Sequence, residues 1–369
     1  MIQRLVFFLS ALAWMLGGGL FPLTAHAVPE PRFEMVGDAG AISDSVVSAL
    51  VVDRDGFLWI GSAVGLVRFD GYEFRAVGVP NSRGKRDASS FVRSLLASRD
   101  GRIWVGTDNE DLAVYDPAQE SWSFLRSEGF RGTVRSLVEG TDGAIWAGFV
   151  GGGLHAIDPK TLQITRWGGD QGLPDDRIQA LLVDRDGQIW AGTWSGLAVR
   201  RAGQSRFELA PGELALKGRS INALYQDRRG HVWVGTQRGE LLRQRGAVVE
   251  WLDQGDSGGG TVNALLDMAG DSIWLARGNG LEIRHQESGQ RARLLQHSLS
   301  KPWGPAGSDV RTMTLDRSGV FWMGSYGGGL QRHTADTRSI WVRRAEPRAD
   351  SVLGVMDVRS ISQIPNGEI

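Results

Sequence analysis

The tetrads Asp53-Arg54-Asp55-Gly56 and Asp184-Arg185-Asp186-Gly187 have the oxygen-rich composition of a calcium loop. A loop of the EF-hand type needs further oxygen ligands and a bidentate Glu six residues past the Gly. Here that span holds an apolar, Trp-bearing segment, and the related Asp227-Arg228-Arg229-Gly230 lacks the second acid. These tetrads are turn formers, because Asp bonds its own backbone and Gly tolerates positive φ. Other chemistry is equally thin. The histidines (His26, His155, His231, His285, His297, His333) show no HExxH or paired spacing, and no Gly-x-Ser-x-Gly elbow appears. Gly151-Gly152-Gly153 precedes no helix, so it is not a phosphate loop. With no cysteine, disulfides and thiolate metal sites are excluded. No metal, no cofactor and no catalytic residue is expected.

Two sets of binding candidates remain. The first is a column of polar residues, Ser48, Arg93, Arg135, Gln179, Asn222, Asn263 and Arg311, each just after the leading Val or Ile of an apolar run. The second follows a Gly-Thr or Gly-Ser pair: Ala63, Asp108, Phe149, Trp194, Gln237, Arg277 and Tyr326. Phe149, Trp194, Arg277 and Tyr326 are the members of this slot with recognition chemistry. Variable slots on a constant frame are where a scaffold carries recognition. The ring could bind an anion or a sugar, Arg supplying forked donors, or it could satisfy channel water and carbonyls. The aromatics could stack on a ligand or cover the next blade.

Both columns depend on a repeat. Trp59, Trp104, Trp146, Trp190, Trp233, Trp274 and Trp322 recur at intervals of 41–48 residues, in phrases such as Ile189-Trp190-Ala191-Gly192-Thr193. Around each lie four stretches of strand length, rich in β-branched and aromatic residues and bounded by Gly and Asp. No sustained helical period with caps appears after residue 27. Four strands in a repeat of this length make one propeller blade. The expected fold is all-β, a seven-bladed propeller of four-stranded antiparallel blades, with the first strand of each unit lining the axis. The Trp fills the wedge between blades, and the Gly two residues later permits close approach.

In this geometry Arg93, Arg135 and Arg311 gather at one mouth of the channel. Like charges at close range are unfavourable unless compensated, and Asp44, Asp176 and Asp309 are the expected compensating acids. At the N-terminus, Arg32-Phe33-Glu34-Met35-Val36 reads as an extra outer strand. It competes with Ser339-Ile340-Trp341-Val342-Arg343 for the seventh blade.

Residues 1–27 read as a secretory signal peptide: basic Arg4, an apolar stretch and the exit Ala25-His26-Ala27. Residues 28–356 then form the propeller. Residues 357–369, ending Pro365-Asn366-Gly367-Glu368-Ile369, read as the truncated start of an eighth repeat. Beyond residue 27 no run approaches the ~18 apolar residues of a spanning helix. Arg4 is the one charged residue of the leader, so its removal takes the formal net charge from −1 to −2. That balance offers no footprint for nucleic acid or an anionic membrane. An export signal without cysteine points to the periplasm.

The phrase Val-x-x-Leu-x-x-Asp-x-x-Gly-x-Ile/Leu-Trp-x-Gly-Thr-x-x-Gly-Leu resembles the two-component regulator propeller repeat. Residues 47–66 and 178–197 are near-complete copies. Residues 134–154 and 310–330 match with one inserted Gly. The unit from Val92 weakens after Thr107, and that from Val262 departs at Met268-Ala269-Gly270-Asp271. The resemblance implies the periplasmic sensory part of a histidine kinase, hybrid two-component protein or diguanylate cyclase. It also implies a longer, membrane-anchored, dimeric form whose output activity lies outside these residues. Its partner would be a small ligand, sugar or anion, or a periplasmic protein. Two other readings compete: a protein-interaction scaffold, which predicts no convergent polar pocket, and a propeller lyase or quinoprotein, which needs a His/acid cluster or cofactor site at the channel mouth.

The leader makes one expectation directly measurable. Expressed whole in a Gram-negative host, the chain should be recovered beginning at Val28, by intact mass and N-terminal sequencing. A mature protein that retains Met1 rules out cleavage.

Overall fold

The structure is a computed structural model that describes residues 30–334, apart from 38, 39, 41, 43, 44, 80–89, 109–111, 128 and 256–259. The signal peptide, Asp44, the strand expected at 339–343 and the eighth repeat lie outside the described residues.

Seven four-stranded antiparallel sheets follow one another around an axis. Blade one is typical: Val47–Val52, Leu58–Ser62, Gly65–Phe69 and Phe74–Ala76 pair in sequence order. The inner strands are Val47–Val52, Val92–Ala97, Val134–Glu139, Ile178–Val183, Ile221–Gln226, Val262–Met268 and Asp309–Leu315. Each touches its neighbours on both sides, and the last touches the first, so the ring is closed.

The closure is an N-terminal clasp. Glu34–Met35 pairs antiparallel with Gly329–His333 and so becomes the outer strand of blade seven. Phe33 plugs the same seam, with its ring against Trp274, Phe321 and His333. Arg332 reaches Glu34 at 3.1 Å. Joining the two ends of the described chain in one sheet removes the exposed edges of an open arc.

Seven hydrophobic clusters fill the seams, and each sets the Trp of one blade against the strands of the next. Trp59 packs with Val92, Ile103 and Tyr115 of blade two, and Trp190 with Ile221 and Val232 of blade five. At blade seven, Trp322 packs with Val47, Leu50 and Phe69 of blade one. No repeat Trp is more than 6% exposed. The Gly two residues on is required by contact. A Cβ on Gly235 would lie 2.4 Å from Val262 Cγ1, and one on Gly324 2.3 Å from Val47 Cγ1.

The tetrad Asp does more than make a turn. Asp184 Oδ1 accepts from the backbone N–H groups of Asp186 and Gln188, while Oδ2 accepts from Trp190 Nε1 at 2.8 Å. Asp53–Trp59, Asp227–Trp233 and Asp316–Trp322 repeat the bond at 2.7, 2.8 and 2.9 Å. One carboxylate thus fixes both the hairpin and the orientation of the wedge. Blades two and three carry Ser98 and Gly140 at this position, and there the indole nitrogens of Trp104 and Trp146 are buried without a partner. The Arg after the tetrad Asp then ties one blade to the next: Arg185 Nη1 donates to the Arg228 carbonyl, and the Arg228 backbone N–H to Asp267.

Removing Asp184 leaves the Trp190 N–H and two backbone N–H groups without an acceptor in a buried site. Asp184→Ala should therefore destabilise by about 2–4 kcal/mol, while Ser98→Asp, which offers Trp104 an acceptor, should raise the unfolding midpoint. Urea unfolding of the three proteins checks both; an unchanged midpoint in Asp184→Ala means the indole bond contributes nothing.

Candidate functional site

Each inner strand contains one β-bulge, and it falls at the same place. In blade one Val47 opposes Ser62 and Ala49 opposes Gly61, so Ser48 is the extra residue. The same skip leaves Arg93, Arg135, Gln179, Asn222, Asn263 and Arg311 unopposed in the other six blades. A bulge breaks the alternation of side chains and re-aims the extra one. All seven polar residues consequently line one cavity on the axis, of about 280 Å³, with Tyr326 beside them. The polar column in the sequence is therefore a ring in space.

The ring is not uniform. Ser48 Oγ donates to the carbonyls of Gly61 and Val92. Arg93 grips Asp108 through Nε at 2.6 Å and Nη2 at 2.8 Å, and donates from Nη1 to Tyr326 Oη at 2.7 Å. Arg311 pairs with Asp309 through Nη2 and lies 4.3 Å over the Tyr326 ring, while its Nε is buried without a partner. Asn263 donates to the Val310 carbonyl at 2.7 Å and to Asp309 at 3.3 Å. These four belong to blades six, seven, one and two.

Blades three, four and five form the other arc. Arg135 makes no hydrogen bond or ion pair with the described residues, and neither does the Gln179 amide. Asn222 only accepts a long bond, 3.4 Å, from Ser220. Burial holds the Arg135 pKa below its ordinary value, and the nearby guanidiniums of Arg311 and Arg93 push it the same way. Arg remains protonated even so. The cavity thus has one half whose polar groups are paired, Arg311 Nε excepted, and a half with unmet donors.

Of the expected compensating acids, Asp309 meets Arg311, whereas Asp176 pairs with Arg166 outside the ring at 3.1 Å. The acid on Arg93 is Asp108, which stands in the second column rather than at a strand start. Thr133 also donates to Asp108, at 3.2 Å.

The second column needs correction. Phe149 and Arg277 are fully buried and stand three residues after their Trp, the place of Ser62, Thr107, Thr193, Thr236 and Ser325. They are not top-face residues. Blades three and six replace the hydroxyl residue itself, so counting from a Gly-Thr pair slips by one. Phe149 stacks on Phe130 at 4.5 Å and borders His155. Arg277 staples blade five to blade six, donating to the Gly239 and Gly260 carbonyls at 3.1 Å and pairing with Glu282 at 2.8 Å and Asp253 at 3.2 Å. Trp194 and Tyr326 do reach the ring end of the propeller. Trp194 is 41% exposed and lies 5.0 Å under the Arg177 guanidinium. Arg177 in turn holds the Asp175 carboxyl down at about 2.

Residues 41–63, 87–109, 172–195 and 215–238 match the family model described as two component regulator propeller. The chain carries two-component regulator propeller repeats. Each matched segment includes a bulge residue (Ser48, Arg93, Gln179 or Asn222), so four of the seven ring positions lie in matched repeats. Among solved structures, the chain is similar to the extracellular domains of two proposed hybrid two-component systems of B. thetaiotaomicron. One has 21% identity and a TM-score of 0.70 over 82% of this chain and 39% of that one. The other has 18% identity and a TM-score of 0.68 over 83% and 42%. The chain therefore spans about two fifths of the length of these extracellular domains. It is also similar to virginiamycin B lyase from Staphylococcus aureus, at 13% identity and a TM-score of 0.65 over 83% of this chain and 99% of that one. At these identities the likeness concerns the fold. No curated protein matches the chain.

His155, wedged between Phe130 and Phe149 with Nε2 3.1 Å from the Gly152 carbonyl oxygen, gives the regulator propeller a pH-dependent stability. Burial, opposed in part by the Gly152 bond, lowers its pKa from 6.5; burial lowers that of His333 as well. The unfolded chain therefore takes up these protons first, so the stability is complete above about pH 6.5 and is lost as pH falls towards the folded-state values. Unfolding midpoints at pH 7.5 and 5.5 should differ in the wild type and differ less in His155→Gln. Equal differences in both proteins show that His155 does not titrate on unfolding.

Proposed function

We propose that the chain is an extracytoplasmic, periplasmic sensory propeller, the ligand-sensing input region of a two-component or cyclic-di-GMP signalling protein, without enzymatic activity of its own. The observation that carries this reading is the bulged ring: seven polar side chains delivered to one axial cavity, four of them (Arg135, Gln179, Asn222 and Arg311) with unmet hydrogen-bonding groups among the described residues. Packing alone needs no cation among unpaired amides, since buried polar groups are otherwise satisfied. The regulator-propeller repeats and the likeness to extracellular domains of hybrid two-component systems support the setting. The span of about two fifths of those extracellular domains supports a longer extracytoplasmic region.

The enzyme alternative asks for a general acid or base at the channel mouth. Among the described residues, those lining the cavity include no His, Asp or Glu, and the carboxylates beside it, Asp108 and Asp309, are held by Arg93 and Arg311. The scaffold alternative predicts no convergent polar pocket, and here one is present.

A thermal-shift panel of carboxylates, phosphates and neutral oligosaccharides on the chain from Val28 onward tests the reading. A ligand at a hundredfold its Kd adds about 2.7 kcal/mol to stability, several degrees of Tm for a domain of this size. If no compound moves the Tm, ligand sensing by this cavity is wrong and the scaffold reading replaces it.

A further inference from the structure

The ligand's charge can be counted from the cavity, given that the cavity is a ligand site as proposed above. Three guanidiniums reach it. Asp108 neutralises Arg93 with two parallel bonds, and Asp309 neutralises Arg311. Arg135 meets no carboxylate among the described residues. Among the described residues the cavity therefore holds one guanidinium with no ion-pair partner, in the field of Asp108 and close to the cations Arg93 and Arg311. Isolated buried charge is unfavourable and calls for a counter-charge. A second observation points the same way: Arg311 Nε is a buried cationic donor with no partner.

The neutral part of the arc describes the remainder of the ligand. Gln179 and Asn222, in the two blades after Arg135, present amides that donate and accept. Such groups suit hydroxyls rather than apolar carbon or a second charge. The volume, about 280 Å³, lies just below the usual range of ligand cavities, about 300–1,000 Å³. It suits a molecule of about one sugar ring.

We propose that the axial cavity binds a small, singly charged hydroxylated carboxylate, such as a sugar acid, whose carboxylate is held by Arg135 and whose hydroxyls are held by Gln179 and Asn222. A guanidinium fork matches a carboxylate bidentately, and Arg93 and Arg311, already paired, add field without adding net charge. A neutral sugar leaves Arg135 unmatched, and a dianion brings a second charge with no cation to meet it.

Three compounds with one carbon skeleton separate these cases: glucose, glucuronate and glucarate, with charges of 0, −1 and −2. Calorimetric titration and thermal shift, at fixed ionic strength, should show glucuronate binding about tenfold or more tightly than the other two. Arg135→Gln should abolish that preference, while Arg54→Gln, at an exposed turn, should leave it intact. Arg135→Gln should also melt no lower than the wild type without ligand, because it removes a cation that has no partner. If glucose matches glucuronate in both proteins, the charge inference is overturned and the cavity remains a ligand site. If glucuronate binds Arg135→Gln as well as the wild type, the assignment of Arg135 is overturned. If none of the three binds the wild type, both the charge inference and the reading of the cavity as a ligand site fail.

Discussion

Neighbouring blades meet where the backbone of a glycine lies against the first branched residue of the next inner strand. At Gly61, Gly106, Gly148, Gly192, Gly235 and Gly324 an added Cβ would come within 2.8 Å of a Val or Ile side-chain carbon one blade on. That approach sets how tightly the inner strands crowd the axis, and so the width of the cavity they enclose. The Trp two residues earlier fills the wedge that opens further out, and the tetrad Asp holds its indole in one orientation. Gly, Trp and Asp thus act as one unit. Blades two and three lack the Asp, and blade six lacks both Asp and Gly, with Met268 and Ala276 in their places; there the packing is supplemented by charge, Arg277, Glu282 and Arg284 being buried together beside Asp253.

Crowding at the axis has an electrostatic consequence. Inner strands that touch on both sides leave little room for side chains that alternate normally, and the bulge brings one polar residue per blade into the shared space. Where that residue finds a carbonyl or a carboxylate from its own or the next blade, it becomes part of the frame, as Ser48, Arg93, Asn263 and Arg311 do. Arg135, Gln179 and Asn222 find none of comparable quality. The ligand site proposed above lies in the three blades where the frame leaves its polar groups unmet.

The stabilising contacts and the proposed ligand site occupy different parts of the same repeat. The seven seams, the Asp–Trp bonds and the N-terminal clasp lie outward of the ring or at its opposite end. Tyr326 joins the two regions: it accepts from Arg93, lies under Arg311 and belongs to blade seven, whose outer strand is the clasp.

The amino-acid sequence by itself determined the number of blades, the strand order within each and the column of polar residues, because each is a local pattern repeated at a constant interval. It also presented both candidates for the closing strand, Phe33-Glu34-Met35 and Ile340-Trp341-Val342; the tertiary structure places the first in blade seven. Three matters were decided only in space. The bulge cannot be read from alternation, since one extra residue per strand shows only in the pairing register. The identity of the Arg93 partner depended on the hairpin pairing that brings Asp108, 15 residues on, beside it, whereas the expected compensating acids stood at the strand starts. Phe149 and Arg277 were misplaced because a slot counted from a Gly-Thr pair loses its register where the Thr itself is replaced. The Asp–Trp bond was within reach of the sequence, as a constant spacing of six residues; what hid it was that the Asp had a sufficient explanation as a turn former. Local periodicity reports which residues share a face, but which donor meets which acceptor depends on how closely the backbones approach, and that distance is set by packing across the seams.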